Sequence, residues 1–185
     1  MITTDHTAAD DGTQANILIL MGVSGSGKTT VGQALAAQLG WQFVDADDFH
    51  SAANVAKMQQ GIPLTDRDRI PWLTTLHTAI KTWQAQQQST VLACSALKAD
   101  YRQRLAGELP LAWVYLEGPV DLLRSRLASR TDHFMPVELL RSQLDTLEVP
   151  TSALVVSIDQ PPAAIVQTIV EHYGFNTESS GPHRH

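Results

Sequence analysis

Gly22-Val23-Ser24-Gly25-Ser26-Gly27-Lys28-Thr29 satisfies the phosphate-loop pattern G-x-x-x-x-G-K-S/T at every fixed position. Just before it, Ile17 to Met21 is a continuous apolar run; after it, Val31, Leu35 and Leu39 recur at helical spacing. At ordinary residue frequencies a chance match in a chain of this length arises on the order of once in a hundred, and the strand-before, helix-after context makes it rarer. The spacing has a physical reason. Glycines permit a tight turn whose N–H groups converge, and the following helix adds the positive end of its dipole, so backbone alone can hold an anion. Gly22 to Thr30 are therefore the expected nucleotide contacts. Lys28 would reach the β- and γ-phosphates, and the Thr29 hydroxyl would bind Mg²⁺, a hard cation that prefers oxygen and keeps several waters. A glycine-rich turn that merely joins a strand to a helix is the plainer alternative.

Working outward, similar apolar runs lie at Gln42 to Asp45, Thr90 to Cys94, Leu111 to Glu117 and Ala153 to Ile158. Between them, Trp72, Leu76, Ile80 and Trp83, then Val120, Leu123 and Leu127, then Ile165, Ile169 and Tyr173 keep helical spacing. Apolar strands alternating with amphipathic helices predict a parallel sheet covered on both faces, with ligands beyond its carboxyl edge. The expected fold is α/β: a three-layer αβα P-loop NTPase fold with a five-stranded parallel sheet. Two segments exceed a minimal crossover, residues 46–71 and 130–150, and are expected to form an acceptor-binding insertion and a lid. Pro71 and Pro136 each stand before a helical pattern and are expected to open a helix, while Gly40 and Gly174 are expected to close two others. Trp41, Trp72 and Trp83 read as core.

At 185 residues the chain fits one domain, placed at 16–175, with residues 1–15 and 176–185 read as flexible tails. Its 43% apolar and 17% charged content is that of an ordinary globular protein. Cys94 is the only cysteine, which excludes an intramolecular disulfide and a cysteine-built zinc cage and agrees with a reducing cytoplasm. No apolar run reaches membrane-helix length, and a net charge of −6 disfavours nucleic acid and anionic lipid, so neither is an expected partner.

Among nucleotide users, a GTPase would carry Asn-Lys-x-Asp and a motor ATPase an apolar strand ending in acids; here Thr90 to Cys94 runs into Ser95. Instead the second strand ends in Asp45-Ala46-Asp47-Asp48-Phe49-His50. One carboxylate there can hold Mg²⁺ through its waters and another can orient an acceptor hydroxyl and take its proton, roles assigned to Asp45 and Asp47 respectively. A solvated turn with a helix cap is the alternative use of these aspartates. Leu123 to Met135 reads L-R-S-R-L-A-S-R-T-D-H-F-M, with Arg126 and Arg130 one helical turn apart. As lid residues, Arg126 would stack on adenine and Arg130 would neutralise charge on the γ-phosphate; an arginine-bearing solvent face is the alternative.

Taken together, M-G-V-S-G-S-G-K-T-T at Met21 to Thr30, D-A-D-D-F-H at Asp45 to His50, N-V-A-K-M-Q-Q-G-I-P-L-T-D-R-D-R-I-P-W-L at Asn54 to Leu73, C-S-A-L-K at Cys94 to Lys98 and H-F-M-P at His133 to Pro136 resemble the gluconate kinases, or gluconokinases. These are small relatives of shikimate and nucleotide kinases, and the match runs from about Ile17 to Tyr173. The resemblance implies transfer of the ATP γ-phosphate to the 6-hydroxyl of D-gluconate, feeding the pentose phosphate route, and a homodimer. An acidic sugar needs cationic partners, for which Lys57, Arg69, Lys98 and Arg102 are candidates; Asp47, His50 and Ser95 would take its hydroxyls. Two positions depart from the usual pattern, Ala46 in place of glycine and Ser51 in place of proline. If position 46 needed a positive φ, alanine there would cost about 1 kcal/mol, so Ala46 implies a permissive backbone or a shifted acceptor loop. A kinase for another small acceptor, such as shikimate or a nucleoside monophosphate, is the nearest alternative. A non-catalytic ATP-binding module is a more distant one.

Overall fold

The computed structural model describes residues 15–129 and 137–175. Five strands, β1 (Ile17–Met21), β2 (Gln42–Asp45), β3 (Thr90–Ala93), β4 (Ala112–Glu117) and β5 (Leu154–Ser157), form one sheet in the order β2-β3-β1-β4-β5. Every neighbouring pair is parallel. The structural helices are α1 (Lys28–Leu39), α2 (Ala52–Gln59), α3 (Asp66–Ala85), α4 (Ala99–Ala106), α5 (Val120–Ala128), α6 (Val137–Thr146) and α7 (Pro162–Tyr173). The expected architecture is therefore present, with strand limits within a residue of those read from the apolar runs.

β1 illustrates how a continuous apolar run serves a doubly covered sheet. Its side chains alternate faces, so Leu18 and Leu20 join one core with Val31, Leu35, Ile165 and Ile169 from α1 and α7. Ile17, Ile19 and Met21 join the other, with Trp72, Leu76 and Ile80 from α3 and Tyr101 and Leu105 from α4. All five β1 residues are buried, each contributing about 1.5–3 kcal/mol of transfer free energy. Packing β1 from both sides makes it the rigid post on which the Gly22–Thr29 loop is mounted.

Register lines up the carboxyl ends: Leu20 lies beside Ala93, and Asp45 beside that same residue on the other side. The loops after β1, β2 and β3 consequently open onto one edge of the sheet. Gly40 and Gly174 close α1 and α7 in left-handed conformation, as expected.

Pro71 does not open a helix. α3 starts five residues earlier, because Thr65 and Asp68 form a capping box that satisfies the first-turn amides, and Pro71 lies inside the helix. The missing N–H at Pro71 deprives the Arg67 carbonyl of its usual intrahelical donor, a cost outweighed by the cap and the buried face of α3. Pro136 lies outside the described residues, as do residues 1–14 and 176–185, whereas Ala15, read as the end of the tail, is buried; α6 begins at Val137. Ala46 does not adopt a positive φ: fully buried itself, it opens a single 3₁₀ turn, Ala46–Phe49, so alanine carries no left-handed strain there. Ser51 caps α2, its hydroxyl accepting from the Asn54 N–H at 3.2 Å.

Candidate active site

The Gly22–Thr29 loop wraps into a cradle between β1 and α1. Gly25 and Gly27 hold φ of 84° and 91°, a region that side chains rarely adopt. A Cβ on Gly25 would also stand 3.0 Å from the Leu123 carbonyl. The first turn of α1 has no side-chain cap and no acidic residue, so its amides stay available to an anion. Lys28 Nζ folds over the loop, donating to the Gly22 and Val23 carbonyls at 3.0 and 3.2 Å. The Ser26 hydroxyl is buried with no hydrogen-bond partner among the described residues. A buried orphan of this kind is costly unless a ligand completes it, and a phosphate oxygen has the chemistry to do so.

Thr29 and Asp45, 16 positions apart in sequence, meet at the mouth of the cradle: Thr29 Oγ1 donates to Asp45 Oδ2 at 3.3 Å. The other Asp45 oxygen caps the 3₁₀ turn by accepting from the Asp47 N–H at 3.0 Å. Asp45 is therefore a turn cap, as the plainer reading had it, and also stands beside the cradle. A hydroxyl and a carboxylate side by side are a hard oxygen donor set, and they fit Mg²⁺ sharing its remaining positions with water and phosphate. The Asp47 side chain is 55% exposed.

Facing the cradle is a cleft lined by Ser24, Lys28, Asp45, Asp47, His50, Arg69 and Ser95. The His50 ring stacks on the Trp72 indole at a centroid distance of 4.3 Å and an interplanar angle of 15°. Burial, and then the Arg69 guanidinium, push the His50 pKa down to about 4. The imidazole is therefore neutral near pH 7, and its 3.8 Å approach to Asp47 is no ion pair. Trp72 in turn donates from Nε1 to the Ala46 carbonyl at 2.7 Å, tying α3 to the turn that carries Asp47. Arg69 donates from Nη1 to the Leu64 carbonyl at 2.6 Å and to the Tyr101 hydroxyl at 3.2 Å, which fixes its fork against the cleft wall. Ser95 sits beside Ala96, a buried alanine at φ 44°. Arg102 props that strained turn, donating to the Ala96 and Leu97 carbonyls at 3.0 and 3.2 Å.

The expected site residues therefore divide. Lys28, Asp45, Asp47, His50, Arg69 and Ser95 come together around one cleft. Lys57, Lys98 and Arg102 are turned to protein partners instead. Lys57 bonds Asp68 at 2.7 Å, and Lys98 grips both oxygens of Asp66 at 2.9 Å. Acids in the first turn of α3 draw both lysines away from the cleft, whereas Arg102 serves the backbone. Arg126 lines a separate cavity on the far side of the cradle with Ser26, Gly27, Thr30 and Pro162, and donates to the Ile158 carbonyl at 2.9 Å. Arg130 lies outside the described residues. Sequence reasoning missed several contributors to the cleft, among them Met58, Leu64, Leu139 and Gln143. It also took Trp72 for core alone, whereas Trp72 is both core and cleft wall. For Met58, Leu64, Leu139 and Gln143, position inside the 46–71 and 130–150 segments was the only signal available.

This arrangement can seat an anion chain in the cradle, a hard cation at its mouth, and an alcohol between Asp47 and the Lys28 ammonium. A cation fork and a neutral imidazole on the wall suit an acceptor that is acidic and rich in hydroxyls.

Comparison with known proteins points the same way. A family model described as an AAA domain matches residues 17–150. The chain is 46% identical over 176 residues to a probable gluconokinase of Mus musculus, covering 84% of this chain and 96% of that one. It is 43% identical over 166 residues to a gluconokinase of Gluconobacter oxydans, covering 88% and 93% of the two. Among solved structures, an unliganded sugar kinase from a Janibacter species superposes with a TM-score of 0.84 at 38% identity, over 91% of this chain and 99% of that one.

Proposed function

This chain belongs to the gluconokinase family, and from that premise we propose that it transfers the γ-phosphate of ATP to the 6-hydroxyl of D-gluconate, giving 6-phospho-D-gluconate. The observation that carries the proposal is the meeting of cradle and Asp47 around a single cleft whose wall presents Arg69. A triphosphate held by the loop amides aims its outer phosphorus at the acceptor side, where Asp47 orients the hydroxyl and takes its proton. Lys28 leaves the Gly22 and Val23 carbonyls to follow charge as it shifts onto the leaving phosphate. Bound Mg²⁺, held by Thr29 and through water by Asp45, would supply charge neutralisation. Arg69 takes the acceptor carboxylate, while His50 and Ser95 take hydroxyls. Arg126 contributes to the nucleotide side and Arg130 to phosphate charge. Lys57, Lys98 and Arg102 support the wall by pairing behind it.

A cytoplasmic homodimer feeding the pentose phosphate route completes the proposal. Among the described residues no helix is long and apolar enough to cross a membrane. The test follows ADP release by purified protein with Mg·ATP and a panel of gluconate, other sugar acids, shikimate and nucleotides. Gluconate-dependent release at least tenfold above every other acceptor is expected; no response to any sugar acid overturns the assignment.

A further inference from the structure

The cradle amides have a side-chain partner. Gln143 on α6 reaches across 119 positions of sequence and its Oε1 accepts a hydrogen bond from the Ser24 N–H at 2.7 Å. A carboxamide oxygen at that distance satisfies a cradle amide in the way a phosphate oxygen would.

Which phosphate it stands in for follows from the two cavities flanking the loop. Ser26, Gly27 and Thr30 face the cavity shared with Arg126, whereas Ser24 and Lys28 face the cleft shared with Asp45 and Asp47. Ser24 is thus at the end of the cradle nearest Asp47, where the outermost phosphate of a nucleotide held there would lie. Leu139, one turn before Gln143, lines the same cleft, while Leu140 is buried in the core that contains Val23, Leu123 and Leu127. The chain just beyond α6 is tied down as well: the Glu148 N–H donates to the Leu97 carbonyl at 2.8 Å, and its carboxylate accepts from the Ala99 N–H at 2.8 Å. The helix is an anchored platform, and the freedom at Gln143 lies in its side-chain rotations.

A carboxamide carries both hydrogen-bonding senses. We propose that Gln143 is a positioning residue for the terminal phosphate: its oxygen accepts from the Ser24 N–H before nucleotide binds, and its Nε2 donates to the phosphoryl group once that group takes the N–H. The residue favours nucleotides that carry a third phosphate and exchanges one hydrogen bond for another on loading. This rests on the reading of the loop as an ATP site but not on the identity of the acceptor.

The experiment measures ATP and ADP affinity calorimetrically, without acceptor, for wild type, Gln143→Met and Gln143→Glu. Methionine keeps length and helix propensity and loses both hydrogen bonds, so the preference for ATP over ADP should fall roughly tenfold with ADP affinity little changed. Glutamate keeps the acceptor oxygen and the docked helix but repels the phosphate, so ATP affinity should fall by a further roughly tenfold, again more than ADP. A residue that only braces α6 would lower the melting temperature in Gln143→Met and leave the ATP-to-ADP ratio within twofold of wild type, which overturns the proposal. Should Gln143→Met fail to fold, equal losses of ATP and ADP affinity in Gln143→Glu overturn it instead. Because no acceptor is present, failure of the gluconate assignment would not alter either result.

Discussion

The cradle and the acceptor wall share one cleft, yet they are built in opposite ways. The cradle is eight consecutive residues whose working groups are backbone amides, positioned by glycine conformations and by the start of α1. The wall is assembled from side chains on the turn after β2, on α3, after β3 and on α6, and each is held by a neighbour: His50 by Trp72, Arg69 by Tyr101, Trp72 by the Ala46 carbonyl. Backbone amides bind the phosphate chain that every nucleotide shares, so they confer capacity. Side chains on a wall can be exchanged one at a time, so they confer choice of acceptor.

The largest break in this comparison is expected on the cradle side. Lys28→Ala should abolish turnover, a loss on the order of 10³-fold or more, with the fold intact by circular dichroism; substantial residual transfer would remove the ammonium from the mechanism. Next comes the group that faces it. Asp47→Asn should lower kcat by about 10²- to 10⁴-fold while ATP affinity measured by calorimetry stays near wild type. Near-normal kcat in that variant would reduce the wall to a passive binding surface.

A smaller effect sharpens the division of labour. Arg69→Lys keeps the charge and loses the planar fork, so steady-state kinetics should show the KM for gluconate rising about tenfold with the KM for ATP unchanged. A parallel rise in both would show that the wall also shapes the cradle.

The smallest effect is in stability. The His50 pKa lies near 4 in the fold against 6.5 as the ordinary value. Between those values the unfolded chain binds more protons, so this residue's contribution to stability is complete above pH 6.5 and is lost as pH falls toward 4. Allowing for solvent screening, the loss from pH 7 to pH 5 is on the order of 1 kcal/mol. Urea unfolding at the two pH values should show it in wild type and show a flatter response in His50→Phe; equal slopes would place the ring in contact with water.

Much of this was legible beforehand, for reasons visible in particular residues. Ile17 to Met21 could be read as a buried strand because both faces of the sheet are covered. Asp45 and Asp47 could be paired with the cradle because parallel topology brings strand ends to one edge. Helices α2 and α4 escaped notice because they are short and bury only Asn54, and Tyr101 with Leu105, too few points to establish a period. Pro71 was misjudged because a capping box at Thr65 and Asp68 can start a helix ahead of a proline that would otherwise mark its beginning.

By itself the sequence determined the phosphate loop, the layer order and the acid-bearing turn, since each depends on dihedral preferences and apolar periodicity within a few consecutive residues. Only the tertiary structure decided which cations face the cleft. Lys57, Arg69 and Lys98 look alike along the chain, and the choice among them was made by Asp66, Asp68 and Tyr101 in space. Only folding, too, carried Gln143 to the Ser24 amide, because an electrostatic partner is selected by distance in three dimensions and not by separation along the chain.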